Sequence, residues 1–387
     1  MGMFDWLFDL VYSTPQTLQI ILFVVFLIGG LFFLIKGADL FVDSASELAE
    51  RLKIPAIVVG LTIVALGTSA PEASVSISSA IAGSNEISVG NIIGSNMFNL
   101  LVVLGFASIF MPVAIKRNIV KRDVLFMVIS SVLLLVFSLL FASNDGFELM
   151  RWEGIVLLLL FVFYMVFVVI DAVKKNKQQQ MGVVKNSIIA SEQTNEISCD
   201  DGSLENSNRE GMTTTNPPSS DRIENQAKDK PNRLKTKSVF ALILLVLIGL
   251  VGVVAGGEFV TFGAKNVAIV MGVSEALVGL TIVAIGTSLP EFITSIVAIK
   301  KKQTDIALGN IIGSNVFNIC LVLALSCIIS PLAISLDVIC YTIVMTVIFI
   351  LFYAYSLLKN KISKRVGIVM LIVYILYFAM ALILEFV

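Results

Sequence analysis

Residues 60–72 read GLTIVALGTSAPE, and residues 279–291 read GLTIVAIGTSLPE. Downstream of each, GNIIGSNMFN at 90–99 answers GNIIGSNVFN at 309–318. The offset is constant, since 291 − 72 and 318 − 99 both equal 219, so the chain carries an internal repeat. The shared residues include Gly, Thr, Ser, Pro, Glu and Asn within otherwise apolar stretches. Packing alone gives no reason to duplicate such polar residues.

The surroundings decide what those stretches are. Hydrophobic residues make up 57% of the 387 and charged residues 14%, against about 25% charged in a soluble domain; mean hydropathy is +0.95. Apolar runs of roughly 20 residues recur, each long enough to cross a ~30 Å hydrocarbon core as a helix. Backbone polar groups in lipid must be satisfied within the segment, so the runs are read as helices. Barrel strands would alternate, and these runs do not. Ten spans are expected, at 18–42, 54–82, 87–111, 123–142, 152–173, 237–264, 273–299, 306–329, 335–358 and 365–386. The fold class is an all-α membrane protein of ten transmembrane helices.

Five spans precede the second half. Five is odd, so the two copies lie upside down relative to each other, and inverted repeats place a substrate site at the midplane. The chain thus divides into a first five-helix half, 1–173, a linker, 174–236, and a second five-helix half, 237–387. The linker is rich in Asn, Ser and Gln and too poor in apolar residues to build a core, which predicts a mostly disordered tether.

Loop charges alternate. Lys116, Arg117, Lys121 and Arg122 follow the third span, Lys174, Lys175 and Lys177 the fifth, Lys300, Lys301 and Lys302 the seventh, and Lys359, Lys361, Lys364 and Arg365 the ninth. Loops after even-numbered spans carry few basic residues. By the positive-inside rule both termini face outward and the linker is cytoplasmic, in a multi-pass protein of the cell membrane. There is no histidine, and no Asp pair or Ser–Lys pair lies at membrane depth, which argues against an intramembrane enzyme. Cys199, Cys320, Cys327 and Cys340 lack metal or disulfide spacing and read as packing residues. No cofactor is expected and no nucleic-acid partner.

Glu72 and Glu291 carry the chemistry. A mid-membrane carboxylate costs at least ~3 kcal/mol on insertion scales, and no Lys or Arg in these spans stands near enough to neutralise either one. A bound cation is the economical partner. Thr68, Ser69 and Glu72 follow i, i+4 and i, i+3 spacing on one helical face, as do Thr287, Ser288 and Glu291. In the next span Ser95 and Asn99, and their counterparts Ser314 and Asn318, are again i, i+4. Hydroxyl, amide and carboxylate oxygens are hard ligands suited to Ca2+ and Na+. Pro71 and Pro290 each deprive one carbonyl of its helical donor and bend the span at the same place. Gly90 with Gly94, and Gly309 with Gly313, are small-residue pairs for close helix packing. Asn96 and Asn315 fall at another angle and are expected to make structural hydrogen bonds. Asp39 and Glu258, also matched across the repeat, fit either a gate or an interfacial structural role.

At these motifs the sequence resembles the cation/Ca2+ exchanger superfamily, with prokaryotic sodium/calcium exchanger-like members nearest in pattern. The resemblance covers essentially the whole membrane portion. It implies an inverted five-plus-five arrangement with four ion sites in the core of spans two, three, seven and eight. By position the ligands would be Thr68, Ser69, Glu72, Ser95, Asn99, Thr287, Ser288, Glu291, Ser314 and Asn318, joined by the backbone carbonyls of Ala65 and Ala284. It also implies electrogenic antiport, three Na+ for each Ca2+, with the lipid bilayer as the protein's surroundings. Proton/Ca2+ exchange is the second reading, and a cation channel the third. One departure stands out: some members, including potassium-dependent ones, carry Asp where this chain has Asn318. Two carboxylates balance one Ca2+ and leave no charge for K+, which leans against potassium dependence.

Overall fold

A computed structural model describes residues 5–83, 85–140, 142–143, 146–197, 238–271 and 284–386. Two compact units are present, Met1–Ala172 with Val239–Val387, and Val173–Ser238. The larger unit is built almost wholly of helices. A short α1 (Asp5–Tyr12) precedes the long α2 (Gln16–Leu52), which runs ten residues past its expected end at 42. The expected span 54–82 is two helices, α3 (Ala56–Thr68) and α4 (Ala70–Ile81), bent by 47°. Next come α5 (Ile87–Phe110), α6 (Arg117–Leu140) and α7 (Arg151–Ile197). The second half holds α8 (Val239–Val270), α9 (Ala284–Thr287), α10 (Leu289–Lys300), α11 (Thr304–Ile329), α12 (Leu336–Leu358) and α13 (Lys364–Phe386).

Among the described residues, eight helices are long and apolar enough to cross a membrane, and the bent pair α3–α4 makes a ninth. The expected span 273–299 is described only from Ala284 onward, and its earlier part lies outside the described residues. The polar stretch expected to begin a tether at 174 begins inside α7, which extends to Ile197. Its Lys, Gln, Met and Glu residues are good helix formers even without an apolar face. Residues 198–236, Cys199 included, lie outside the described residues. Cys320 and Cys327 are buried free thiols, while Cys340 is free and exposed.

Two small sheets lace the halves together. Strand β1 (Val113–Ala114) and β2 (Gly146–Leu149) belong to the first half, and β3 (Leu332–Ile334) and β4 (Lys361–Ile362) to the second. β1 pairs antiparallel with β4, and β2 with β3. Because 332 − 113 is again 219, β3 is the repeat counterpart of β1, while their partners Leu149 and Ile362 stand at a different offset, 362 − 149 = 213. Ion pairs add to the lacing: Lys301 Nζ lies 3.1 Å from Asp39 Oδ1 and 3.0 Å from Asp43 Oδ1. The pair with Lys301 is the contact an interfacial role for Asp39 would make. A further network, Arg122 with Asp123 and Asp171, and the Tyr164 hydroxyl donating to Asp123 Oδ1 at 3.0 Å, ties α6 to α7.

Close backbone approach sets the core. A Cβ on Gly309 of α11 would lie 2.6 Å from the Ile57 carbonyl oxygen of α3, so only glycine allows these two helices to touch there. Gly313, one turn on, would meet the Cβ of Ala65 at 2.7 Å. The repeat counterparts of Ile57, Gly60 and Leu61, which these two glycines meet, lie outside the described residues, so the packing expected of Gly90 and Gly94 falls outside them too. Gly309→Val should cost about 1–3 kcal/mol by overpacking and lower the melting temperature in detergent. Gly29→Ala, where nothing lies within 4 Å, should leave it unmoved; a tolerated Gly309→Val would contradict the close approach.

Candidate functional site

The breaks in the two repeat helices come first, because they aim everything else. Pro71 and Pro290 lack the N–H that would bond four residues back, and the helix yields one turn earlier. Ser69 takes φ −82°, ψ 8°, and Ser288 takes φ −91°, ψ 5°, neither of them α-helical. The Ser69 N–H still donates to the Ala65 carbonyl at 3.0 Å, whereas that of Ser288 donates to the Ile285 carbonyl at 3.2 Å. The Ala65 oxygen therefore already accepts a helical bond. Ala284 opens the described part of its helix.

Past each break the serine side chain reaches across to the other repeat. The Ser69 hydroxyl donates to Glu291 Oε1 at 3.0 Å, and the Ser288 hydroxyl donates to Glu72 Oε1 at 3.0 Å. The expected single face of Ser69 with Glu72 assumed an unbroken helix; the break turns the hydroxyl toward the opposite repeat instead. Ser95 of α5 adds to the crossing, whereas Ser314 of α11 holds the acid of its own repeat. Ser95 Oγ lies 3.0 Å from Ser288 Oγ, and the Ser314 hydroxyl donates to Glu291 Oε1 at 3.4 Å. Thr68 donates to Asn310 Oδ1 at 3.0 Å, and Thr287 reaches Asn91 Oδ1 at 3.5 Å.

Asn91 and Asn310 were not singled out in the sequence, and both brace the site. Asn91 Nδ2 lies 3.4 Å from the Glu72 carbonyl oxygen and 2.9 Å from Ser76 Oγ. Asn310 Nδ2 lies 3.4 Å from the Glu291 carbonyl oxygen and 3.0 Å from Ser295 Oγ. A signal for them existed: Asn91, Ser95 and Asn99 follow i, i+4, i+8, as do Asn310, Ser314 and Asn318.

Asn99 and Asn318 stand where α5 and α11 each widen into a π-helical turn, Phe98–Val103 and Asn318–Leu323. Such turns recur at functional sites. Asn318 Nδ2 donates to Asn96 Oδ1 at 3.2 Å, and Asn315 Nδ2 to the Ile311 carbonyl at 3.0 Å. Asn96 and Asn315 thus make the structural hydrogen bonds expected of them.

Glu72, Glu291, Ser288, Ser314, Asn99 and Asn318 are wholly buried, and Ser69 and Ser95 nearly so. Yet Glu72 Oε2, Glu291 Oε2, Asn318 Oδ1 and both polar atoms of Asn99 have no hydrogen-bond partner among the described residues. Leaving one buried polar group unsatisfied costs about 1–3 kcal/mol, and more when it is charged. Four of these five atoms, Glu72 Oε2, Glu291 Oε2, Asn99 Oδ1 and Asn318 Oδ1, are hard oxygens suited to a Ca2+- or Na+-like ion, while Asn99 Nδ2 is a donor and no ligand. No cluster of three or more His, Cys, Asp or Glu is present among the described residues. Two carboxylates with neutral hydroxyls and amides are the donors at hand.

A cavity of about 380 Å3 leads to this core. Its lining includes Pro71, Ser74, Ser78 and Ser79 of α4, Gly286 and Thr287 of α9, Phe8 of α1, and Glu258, Thr261 and Lys265 of α8. Thr287 retains 6% exposure where its counterpart Thr68 has none. α1 is clamped over this region: Phe8 stacks on Phe262 at 3.9 Å, and the Tyr12 hydroxyl donates to Asn266 Oδ1 at 2.9 Å.

The chain is similar to known proteins. The solved structure of the sodium-calcium exchanger NCX_Mj, soaked with 10 mM Na+ and no Ca2+, superposes with a TM-score of 0.70 at 29% identity, covering 93% of this chain and 99% of that one. An uncharacterized membrane protein of Methanocaldococcus jannaschii, MJ0091, is 30% identical over 352 residues, 91% of this chain and 95% of its own. Sodium/calcium exchanger MaX1 of Methanosarcina acetivorans is 31% identical over 329 residues, 80% and 83% respectively. The profile of the family described as sodium/calcium exchanger protein matches residues 22–170 and 241–383. With its duplicated motifs and the two-inverted-repeat exchanger fold, this chain belongs to the sodium/calcium exchanger protein family.

Proposed function

We propose that this protein is a secondary antiporter that exchanges Ca2+ for Na+ across the cell membrane, with the ions bound between Glu72 and Glu291. Antiport of cations including Ca2+ is the activity of the family; the coupling to Na+ and the ligand assignment are our reading. One observation carries it. Two carboxylates from opposite repeats are fully buried, each with one oxygen held by the other repeat's serine and the other oxygen without a partner. The ligands we assign are Glu72, Glu291, Thr68, Ser69, Thr287, Ser288, Ser95, Asn99, Ser314 and Asn318, with carbonyls of Ala65 and Ala284. Lysine and arginine in alternate loops support an orientation with both termini outside and the 174–236 linker in the cytoplasm.

A Ca2+ between two carboxylates is neutral overall, and the neutral oxygens of the hydroxyls and amides complete its shell without added charge. When Ca2+ leaves, the two negative charges need replacement cations, which Na+ supplies at sites formed by the same oxygens. Alternation of the site between the two sides then couples the two fluxes, because an unfilled pair of buried carboxylates is too costly to carry across.

The decisive measurement is 45Ca2+ uptake into Na+-loaded proteoliposomes, with Na+, K+ and H+ gradients varied independently. Uptake should follow the Na+ gradient. Uptake driven by a proton gradient without Na+ would replace Na+ coupling by proton coupling, and flux with no counter-ion requirement would indicate a channel. Glu72→Gln or Glu291→Gln should abolish exchange in protein that still inserts and folds, and wild-type rates in either would sink the site. Deleting 180–230 should leave ion binding intact, because no candidate ligand lies there; lost binding in well-folded deletion protein would refute this. Exchange by the natural protein should need no K+. Asn318→Asp, by adding a third negative charge, should make transport more pH-dependent or strengthen the binding of one further monovalent ion; an absolute K+ requirement in the unmodified protein would defeat the charge argument.

A further inference from the structure

The cavity beside the core is lined by hydroxyls, yet two charged side chains also stand in it, Glu258 and Lys265. Both belong to α8, seven residues apart and so on one face, two turns from each other. Lys265 is exposed, and no ion pair or hydrogen bond engages it among the described residues. A free ammonium in the approach to a cation site is unexpected, since it repels the cargo.

We propose that Lys265 is a specificity-determining residue of the exchange reaction, one that disfavours entry of divalent relative to monovalent cations through this cavity. The inference rests on the exchange reading above and adds to it. A fixed charge raises the local potential and lowers the local concentration of a cation by a factor whose exponent is proportional to the ion's charge. The factor for Ca2+ is therefore the square of that for Na+. The cavity reaches Thr287, so an ion entering there passes within the field of Lys265 before it meets a ligand. The residue cannot alter the direction of net exchange, which the gradients fix. It alters how readily each ion enters from this side. Glu258 contributes a potential of its own, which is unchanged when Lys265 alone is replaced, so the difference between variants isolates the lysine.

The test uses full-length protein in vesicles of uniform orientation, with Lys265 facing the bath. External 45Ca2+ is exchanged for internal Ca2+, and Na+ competes at Ca2+ far below its KM, with choline holding ionic strength constant. At about 0.05 M ionic strength, Lys265→Gln should lower the half-inhibiting Na+ concentration about 1.5-fold and the Ca2+ KM about twofold. Lys265→Glu should apply each factor a second time, and Lys265→Arg should move neither. At about 1 M, where the Debye length is about 3 Å, the shifts should vanish. Equal shifts for the two ions, shifts that survive high salt, no shift at all, or an Arg variant that behaves like Gln would each overturn the proposal while leaving the exchange reading standing. A wild-type protein that carries no 45Ca2+ would instead overturn the exchange reading, and this inference with it.

Discussion

The crossed pairs Ser69 to Glu291 and Ser288 to Glu72, each 3.0 Å, are the contacts on which the rest of the core depends. A carboxylate withdrawn from water carries an effective penalty of several kcal/mol, and only well-placed partners or a counter-charge offset it. Each repeat supplies half of that offset to the other. The shortest serine contact to each acid comes from the opposite repeat, although Ser314 adds a longer one, 3.4 Å, to the Glu291 of its own repeat, so the two halves must meet in one register to complete the shell of either glutamate. The remaining oxygens, one on each acid, are left for the cargo.

What holds that register is backbone proximity. Gly309 lets α11 touch α3, and through it Asn310 reaches Ser295, the Glu291 carbonyl and Thr68 together. The strands repeat the logic at the periphery, since β1 pairs with β4 and β2 with β3, each joining one half to the other. Long helices α2 and α8 pack on one another just as tightly: a Cβ on Gly249 would lie 2.6 Å from the Phe41 nitrogen. The core and the α2–α8 pair are therefore each closely packed, and the cavity lies along their border, lined by α4 on one side and α8 on the other.

The sequence made much of this readable, because duplication separates shared purpose from accident. Glu72, Glu291 and the serines and asparagines of both motifs stand at a common offset, and the two acids meet Ser69, Ser288 and Ser314 in one buried cluster that Ser95 joins. The crossing itself was not readable. Spacing of i, i+3 places Ser69 beside Glu72 on an ideal helix, and only the non-helical torsions at the break send its hydroxyl to the opposite repeat. The π-helical turns at Phe98–Val103 and Asn318–Leu323 leave no compositional trace, because they arise from packing. Asn91 and Asn310 lay in plain view within GNIIGSN, and the i, i+4, i+8 row could have found them. The polar composition beyond residue 174 suggests a tether, and α7 nonetheless continues to Ile197 through residues that include the helix formers Lys, Gln and Glu.

The crossing also sets an order of events during synthesis. Glu72 and the serine that holds it are separated by 216 residues, so the acid enters the bilayer long before its partner has been made. Until Ser288 arrives, the acid at the centre of the first half lacks the hydroxyl that the second half supplies. Such a half-protein has every reason to stay loosely packed, and the same contact that completes the site completes the fold. A chain interrupted in its second half would thus expose, as an uncompensated acid within the membrane, a distinct mark of its own incompleteness.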